Sequence, residues 1–414
     1  MRPDGRESPM TNRSASIDPQ VFDIRLPSID LEAGGTVAPH LVRGWWWGPA
    51  SDVPVLAART RLATSEAMQR TAGRVVRRSS RELEDVPGLA AGTRSPGLDA
   101  SVPTILVVHA LTGDMRVGGP GGWWEPLVGA GRALDPTTGR ILCFNNLGSC
   151  YGTSGPADEG FPTLAGPPLL PAALTTWDQA RSILMALDAL GVDRVQLATG
   201  GSLGAMIVLC LAALAPERFE RIAPIAGSET ASAWVIGWNH VARQALLLDP
   251  NYPDAPHRGL EIARQLAMLT YRAEPGLDER QGRAMVGGPG WVPPALYRIE
   301  TYLEHQGQKL RDRFHALAYL AQLGAMNHHD LGREPGSGRT NGAWGHDRIR
   351  ARTLAVSIDT DQLYLPEQTR RLSVRLRERT LSVEEVTINS PHGHDAFLIE
   401  WEQVDAILRR ALVI

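Results

Sequence analysis

Gly200-Gly201-Ser202-Leu203-Gly204 sets a hydroxyl among residues that mostly lack a side chain, between the apolar run "RVQLATG" (194–200) and the helical pattern "AMIVLCLAALAPERF". A serine in so tight a turn from strand to helix has the form of a nucleophile elbow, which lifts the hydroxyl above a sheet. The glycines let strand and helix approach without Cβ clashes. The helix N-terminus favours negative charge developing nearby. The same five residues also suit an ordinary glycine-rich turn, so the partners decide.

A serine hydroxyl is a weak nucleophile until a base takes its proton. Where an elbow carries the serine, the partners follow in the order Ser, Asp, His, each on a loop after a later strand. "RTLAVSID" (352–359) ends in Asp359, with Asp361 close behind. "SVEEVTINS" (382–390) is followed by His392 and His394. Spacing alone leaves both choices open. An oxyanion hole needs two aimed backbone N–H groups. Leu203 supplies one, and "HALTG" (109–113) follows an early strand and offers the other, with Leu111 the best placed. His109, at the end of an apolar strand, reads as a hydrogen-bonded structural histidine.

Something must hold these loops at one edge of a sheet. The apolar runs 104–111, 140–148, 194–200, 221–227, 352–359 and 382–390 read as buried strands, with helical patterns between them. One such helix is "TTWDQARSILMALDALGV" (175–192), with Thr176 and Gln179 as a capping box. Alternation of this kind predicts a mostly parallel sheet covered on both faces. It lapses between about 229 and 348, which reads as helices only, and then resumes. The expected organisation is a tail (1–20), a first core part (21–228), a helical lid insertion (229–348) and a second core part (349–414).

The chain has 414 residues, 43% of them hydrophobic and 21% charged, with a net charge of −3. That balance points to neither nucleic acid nor an anionic membrane surface. No apolar run is long enough to span a bilayer, and the N-terminus lacks the apolar centre of a secretory signal. Three cysteines give neither a disulfide framework nor zinc-ligand spacing. The default is a cytoplasmic protein. "MNHHDLGR" carries paired histidines with no supporting carboxylate or cysteine cluster, so a lid contact is preferred to a metal. "GWWWGP" and "GWWEP" read as packing rather than an aromatic binding surface.

Beyond the elbow, "VVHALTGD", "NNLGSCYGTSGP", "RGLEIARQLAMLTYR", "YLEHQGQKLRDRF", "DTDQLYLP" and "GHDAFLIE" resemble blocks of the homoserine O-acetyltransferase family, in family order from about residue 25 onward. This is an acyl-transferring branch of the α/β-hydrolase fold. The resemblance implies Ser202 as nucleophile, His394 as base, and Asp361 rather than Asp359 as the acid. It implies that Arg264 holds the acceptor's carboxylate with Tyr271 nearby, and that Asp395 faces the ammonium. Read alone, Asp395 also suits the N-cap of the helix that follows. The implied activity is acetyl transfer from acetyl-CoA to L-homoserine, a step of methionine biosynthesis, by a homodimer with no metal or bound cofactor. Succinyl-CoA as donor, L-serine as acceptor, or an esterase using water are the rival readings. The elbow's Gly-Ala and the spacing of "DQLYLP" depart from the family's usual pattern.

Overall fold

A computed structural model describes residues 18–62, 75–77, 98–164, 168–286, 296–339, 342–379 and 382–414. Its centre is a nine-stranded sheet. The strands are β1 (Gln20–Leu26), β2 (His40–Trp47), β3 (Arg61–Leu62), β4 (Thr104–Val108), β5 (Arg140–Phe144), β6 (Leu197–Gly201), β7 (Arg221–Ile225), β8 (Arg352–Ile358) and β9 (Val383–Ile388). Their order is β9-β8-β7-β6-β4-β5-β2-β1-β3. From β9 to β5 the strands are parallel, and β2, β1 and β3 continue the sheet antiparallel. All six expected strands are present, but β9 is not buried as expected: at the edge of the sheet only its Ile388 is buried. β4, β5 and β6 are buried along their whole length, as parallel strands covered on both faces must be.

Helices cover both faces. α2 (Thr176–Leu190) and α3 (Leu203–Leu214) pack on one side, where Trp177, Ile183, Met206 and Leu209 join the largest apolar cluster. α11 (Trp401–Ala411) covers the other face through Val404 and Leu408, beside Trp124. The first helix, α1 (Val53–Arg59), and α10 (Pro366–Arg377) complete the layers. α3 is buried from Leu203 to Ala213, which is why its sequence shows an unbroken apolar run and no stripe. The capping box of α2 is Thr175 with Asp178, one residue before the pair expected. Thr175 has the extended backbone of an N-cap, and its side chain accepts from the Asp178 N–H.

Between β7 and β8 run α4 (Ala233–Leu247), α5 (His257–Tyr271), α6 (Glu274–Arg280), α7 (Arg298–Arg311), α8 (Ala316–Asn327) and α9 (Trp344–Arg348). The helices-only expectation needs one correction: Met285–Val286 pairs antiparallel with Leu296–Tyr297 in a short ribbon. Two-residue strands carry no periodicity to read. Most of the expected tail, residues 1–17, lies outside the described residues, and Gln20 already belongs to β1.

Strand order fixes where a ligand can sit. From β4 the sheet grows through β5 in one direction and through β6, β7, β8 and β9 in the other. Such a reversal opens a crevice beyond the carboxyl ends of the strands. Ser202, Asp361 and His394 follow β6, β8 and β9 at that edge.

Candidate active site

Ser202 has φ 58° and ψ −123°, outside the regions open to most L-residues. The strain is held by neighbours that cannot give way. A Cβ on Gly200 or Gly204 would stand 2.4 or 2.2 Å from the Val108 carbonyl oxygen, and one on Gly201 would stand 2.4 Å from the Phe397 ring. The Ser202 N–H donates to the Ile225 carbonyl at 2.9 Å, tying the turn to β7. The serine is 5% exposed. It lines a cavity of about 180 Å³ together with Leu111, Arg264, Tyr271, His394 and Asp395.

His394 Nδ1 lies 2.7 Å from Asp361 Oδ2, with both residues buried. The other carboxylate oxygen of Asp361 accepts from the Leu363 and Tyr364 N–H groups at 2.8 and 2.9 Å. The carboxylate therefore has one position available. Burial pushes the imidazole pKa down, but the charge and hydrogen bond of Asp361 outweigh it, so His394 stands above its ordinary value. Tyr271, Tyr364 and Phe397 surround the ring at centroid distances of 5.6, 5.3 and 5.8 Å.

The alternatives left open by spacing are occupied elsewhere. Asp359 is exposed and accepts from the Ser390 N–H at 3.0 Å, and so joins the loops after β8 and β9. His392 faces Arg280 of α6 at 3.3 Å. His109 donates from Nδ1 to the Ala110 carbonyl and accepts at Nε2 from the Asn146 N–H, at 2.8 and 3.0 Å. Both ring nitrogens are used, and burial pushes its pKa down. It is the structural histidine expected.

Residues 110–113 form a tight turn closed by the Gly113 N–H on the Ala110 carbonyl at 3.0 Å. Leu111 sits inside it, 4% exposed, at the cavity wall. Among the described residues, neither the Leu111 nor the Leu203 N–H donates to a protein acceptor. Two free backbone donors beside one serine are what an acyl oxyanion requires.

Arg264 reaches the cavity from α5, with its guanidinium carbon 5.6 Å from the centre of the Tyr271 ring. Among the described residues no carboxylate pairs with it. Burial pushes the Tyr271 hydroxyl up to about 12, so it is a neutral hydrogen-bonding group at physiological pH. Asp395 also lines the cavity, but Arg272 Nε lies 3.3 Å from its carboxylate. Asp395 is not the N-cap of α11. A 3-10 turn, Gly393–Leu398, intervenes, and Glu400 occupies the cap position.

Sequence reasoning passed over Arg313, Trp123 and Phe397, which also line the cavity. Arg313 stood inside "YLEHQGQKLRDRF" with no local pattern to separate it from its neighbours. Trp124 is fully buried, and its Nε1–H donates to the Phe397 carbonyl at 2.9 Å. Trp45 and Trp46 are buried in β2. His329 is buried, donating to the Ser228 carbonyl and paired with the Thr176 hydroxyl at 2.8 Å, so it joins the lid region to α2. Among the described residues no cluster of three metal-binding side chains occurs, and no helix is long and apolar enough to cross a membrane.

Residues 103–400 match the family described as alpha/beta hydrolase fold. A homoserine O-acetyltransferase of Symbiobacterium thermophilum is 38% identical over 384 residues, spanning 88% of this chain and 97% of the relative. Among solved structures, homoserine O-acetyltransferase from Bacillus anthracis superimposes with a TM-score of 0.74 at 17% identity, covering 96% of this chain and 98% of that one. An acetylester hydrolase from Corynebacterium glutamicum follows with a TM-score of 0.67 at 16% identity, covering 94% and 95%. Those two likenesses concern the fold. The extended sequence identity goes further, and the chain belongs to the homoserine O-acetyltransferase family of acyltransferases, built on the α/β-hydrolase fold.

Proposed function

We propose that the protein transfers an acetyl group from acetyl-CoA to the hydroxyl of L-homoserine in two half-reactions through Ser202. The Ser202 Oγ attacks the thioester carbonyl while His394 takes its proton, and Asp361 holds the imidazole in the accepting tautomer and stabilises the imidazolium. The tetrahedral oxyanion rests on the Leu111 and Leu203 N–H groups. Collapse breaks the carbon–sulfur bond, His394 returns the proton to the departing thiolate, and acetyl-Ser202 remains. The homoserine hydroxyl then attacks the acetyl carbon, again losing its proton to His394. The second collapse restores Ser202 Oγ, which takes that proton back, and O-acetyl-homoserine leaves. In this scheme CoA is a substrate, and neither a metal nor a bound cofactor takes part.

The observation that carries the choice of acceptor is the Arg264 guanidinium, which faces the cavity beside Ser202 and His394 with no carboxylate partner among the described residues. A guanidinium fork suits a carboxylate at two points. Asp395 stands on the same wall for the ammonium. Arg272 touches only its Oδ2, which leaves lone pairs of the carboxylate for the substrate. The helical segment 229–348 would act as a lid, supplying Arg264 and Tyr271 and excluding water that would hydrolyse the acetyl-enzyme. A cytoplasmic site of action fits a reaction that consumes acetyl-CoA.

Arg264→Ala tests the acceptor site. Losing one side of a charge-assisted pair costs roughly 2–5 kcal/mol, so kcat/KM for homoserine should fall about thirtyfold or more. Hydrolysis of p-nitrophenyl acetate, which presents no carboxylate, should persist near the parent rate. Undiminished transfer to homoserine would place the carboxylate clamp elsewhere than Arg264.

A homodimer through the lid is part of this proposal. Trp234 and Val241 of α4 and Leu248 at its end are 55%, 50% and 79% exposed, and Ile262 and Leu269 of α5 are both 43% exposed. Both sets repeat every seven residues, the spacing of a helix seam that buries itself against further helices. Light scattering should give twice the chain mass, and Val241→Glu with Leu248→Glu should give a monomer. A monomeric parent would remove this part of the proposal.

A further inference from the structure

We propose that Arg313 is a positioning residue for the acylation step, setting the turn that presents the Leu111 N–H to the oxyanion. The inference rests on the acyl-serine reading above.

Arg313 follows α7, and its Nη1 donates to the Thr112 carbonyl and to the Tyr151 hydroxyl, each at 2.6 Å. Thr112 is the residue after Leu111 and lies inside the turn that Gly113 closes on Ala110. Clamping its carbonyl fixes the direction of the peptide planes around it, and so the aim of the Leu111 N–H.

The other end of the clamp is itself anchored. Tyr151 is 2% exposed and packs edge-on against Phe314 at 5.6 Å. Burial pushes its pKa up, so it accepts as a neutral phenol. Its backbone carbonyl accepts from Asn145 Nδ2 at 2.6 Å, and Asn145 Oδ1 accepts from the Met115 N–H at 2.8 Å. The strand-end loop is thus held at Thr112 and at Met115 by one connected set of hydrogen bonds.

Charge adds to geometry. Asp114, the acidic residue of the same loop, is taken up by Arg116 at 2.6 Å. Among the described residues Arg313 has no carboxylate partner, so its positive charge stands uncancelled at the wall of the cavity where the oxyanion forms. A fixed charge in a water-poor site acts on developing charge far more than it would in water. The segment that would close over the substrates therefore also orders the donor that stabilises the reaction.

The test is rapid-quench acylation of the full chain by acetyl-CoA, with p-nitrophenyl acetate hydrolysis and the homoserine KM measured in parallel. Arg313→Gln should lower the acylation rate constant on the order of 10- to 100-fold, the scale of a misaimed oxyanion donor. Ester hydrolysis should fall by a similar factor, with the homoserine KM near the parent value. Arg264→Ala should give the opposite split. Arg313→Lys keeps the charge and a donor and should recover most of the loss. Tyr151→Phe keeps the Thr112 contact but loosens it, and should show a smaller loss in the same rate constant. The inference is overturned if Arg313→Gln acylates at the parent rate. It is also overturned if lysine fails to rescue while the unfolding midpoint falls with activity, since the role would then be fold support. A parent protein that forms no acetyl-serine would instead remove the reading beneath it.

Discussion

Ser202→Ala protein incubated with acetyl-CoA will keep its unmodified mass, while the parent will gain one acetyl group that peptide mapping places on Ser202. The steady-state transfer rate should drop on the order of a millionfold, the usual cost of removing the nucleophile of a catalytic triad. The substitution isolates chemistry from folding. Among the described residues the Ser202 side chain makes no hydrogen bond, whereas its N–H donates to Ile225 and its carbonyl accepts from Ala205 at 2.9 Å. Alanine keeps all the backbone contacts. The φ of 58° is as costly for alanine as for serine, so the unfolding midpoint should move little. An alanine variant with parent activity would end the acyl-serine account.

Asp361→Asn should cost on the order of ten-thousandfold in rate, and the hydrogen bonds at the carboxylate explain why. The Leu363 and Tyr364 N–H groups both point at one oxygen, so the oxygen of an asparagine amide must take that place. The NH₂ is then turned toward His394 Nδ1, where the native carboxylate oxygen accepts at 2.7 Å. An imidazole facing a donor at Nδ1 carries its proton on Nε2 and cannot take one from Ser202. Asp359→Asn, by contrast, keeps an oxygen for the Ser390 N–H and should alter stability by about 0.5 kcal/mol or less, as surface changes usually do. Steady-state rates of the two variants check the assignment. If the larger loss belongs to Asp359, the acid has been misassigned.

What could be read in advance followed burial. Strands covered on both faces appear as apolar runs, so β4 through β8 were legible. β9, at the sheet edge with only Ile388 buried, stood out by its β-branched residues. With these strands, the loops that carry Ser202, Asp361 and His394 were legible as well. β1 was not. Its run "QVFDIRL" includes Asp23, a charge that looks out of place in a core strand until it meets Arg43 of β2 at 2.7 Å. Pairing across strands cannot be read from either strand alone. The contact between Arg272 and Asp395 is hidden in the same way, since it joins the end of α5 to the 3-10 turn after β9. The cap of α2 slipped by one residue because Thr175 and Thr176 stand side by side, each followed by a suitable partner. Arg313 was hidden most completely. It is one of several charges in an amphipathic stretch, and only the fold brings it to Thr112 and Tyr151.

The central claim is that the acetyl group on Ser202 passes to an amino-acid hydroxyl rather than to water. It is tested most directly by isolating the acetylated parent protein, free of acetyl-CoA, and mixing it in a single turnover with buffer alone or with L-homoserine. The account predicts that homoserine discharges the acetyl-enzyme far faster than buffer does, with O-acetyl-homoserine as the product. Loss of the acetyl group at one rate in both mixtures, with acetate as the product, would contradict it and leave an esterase.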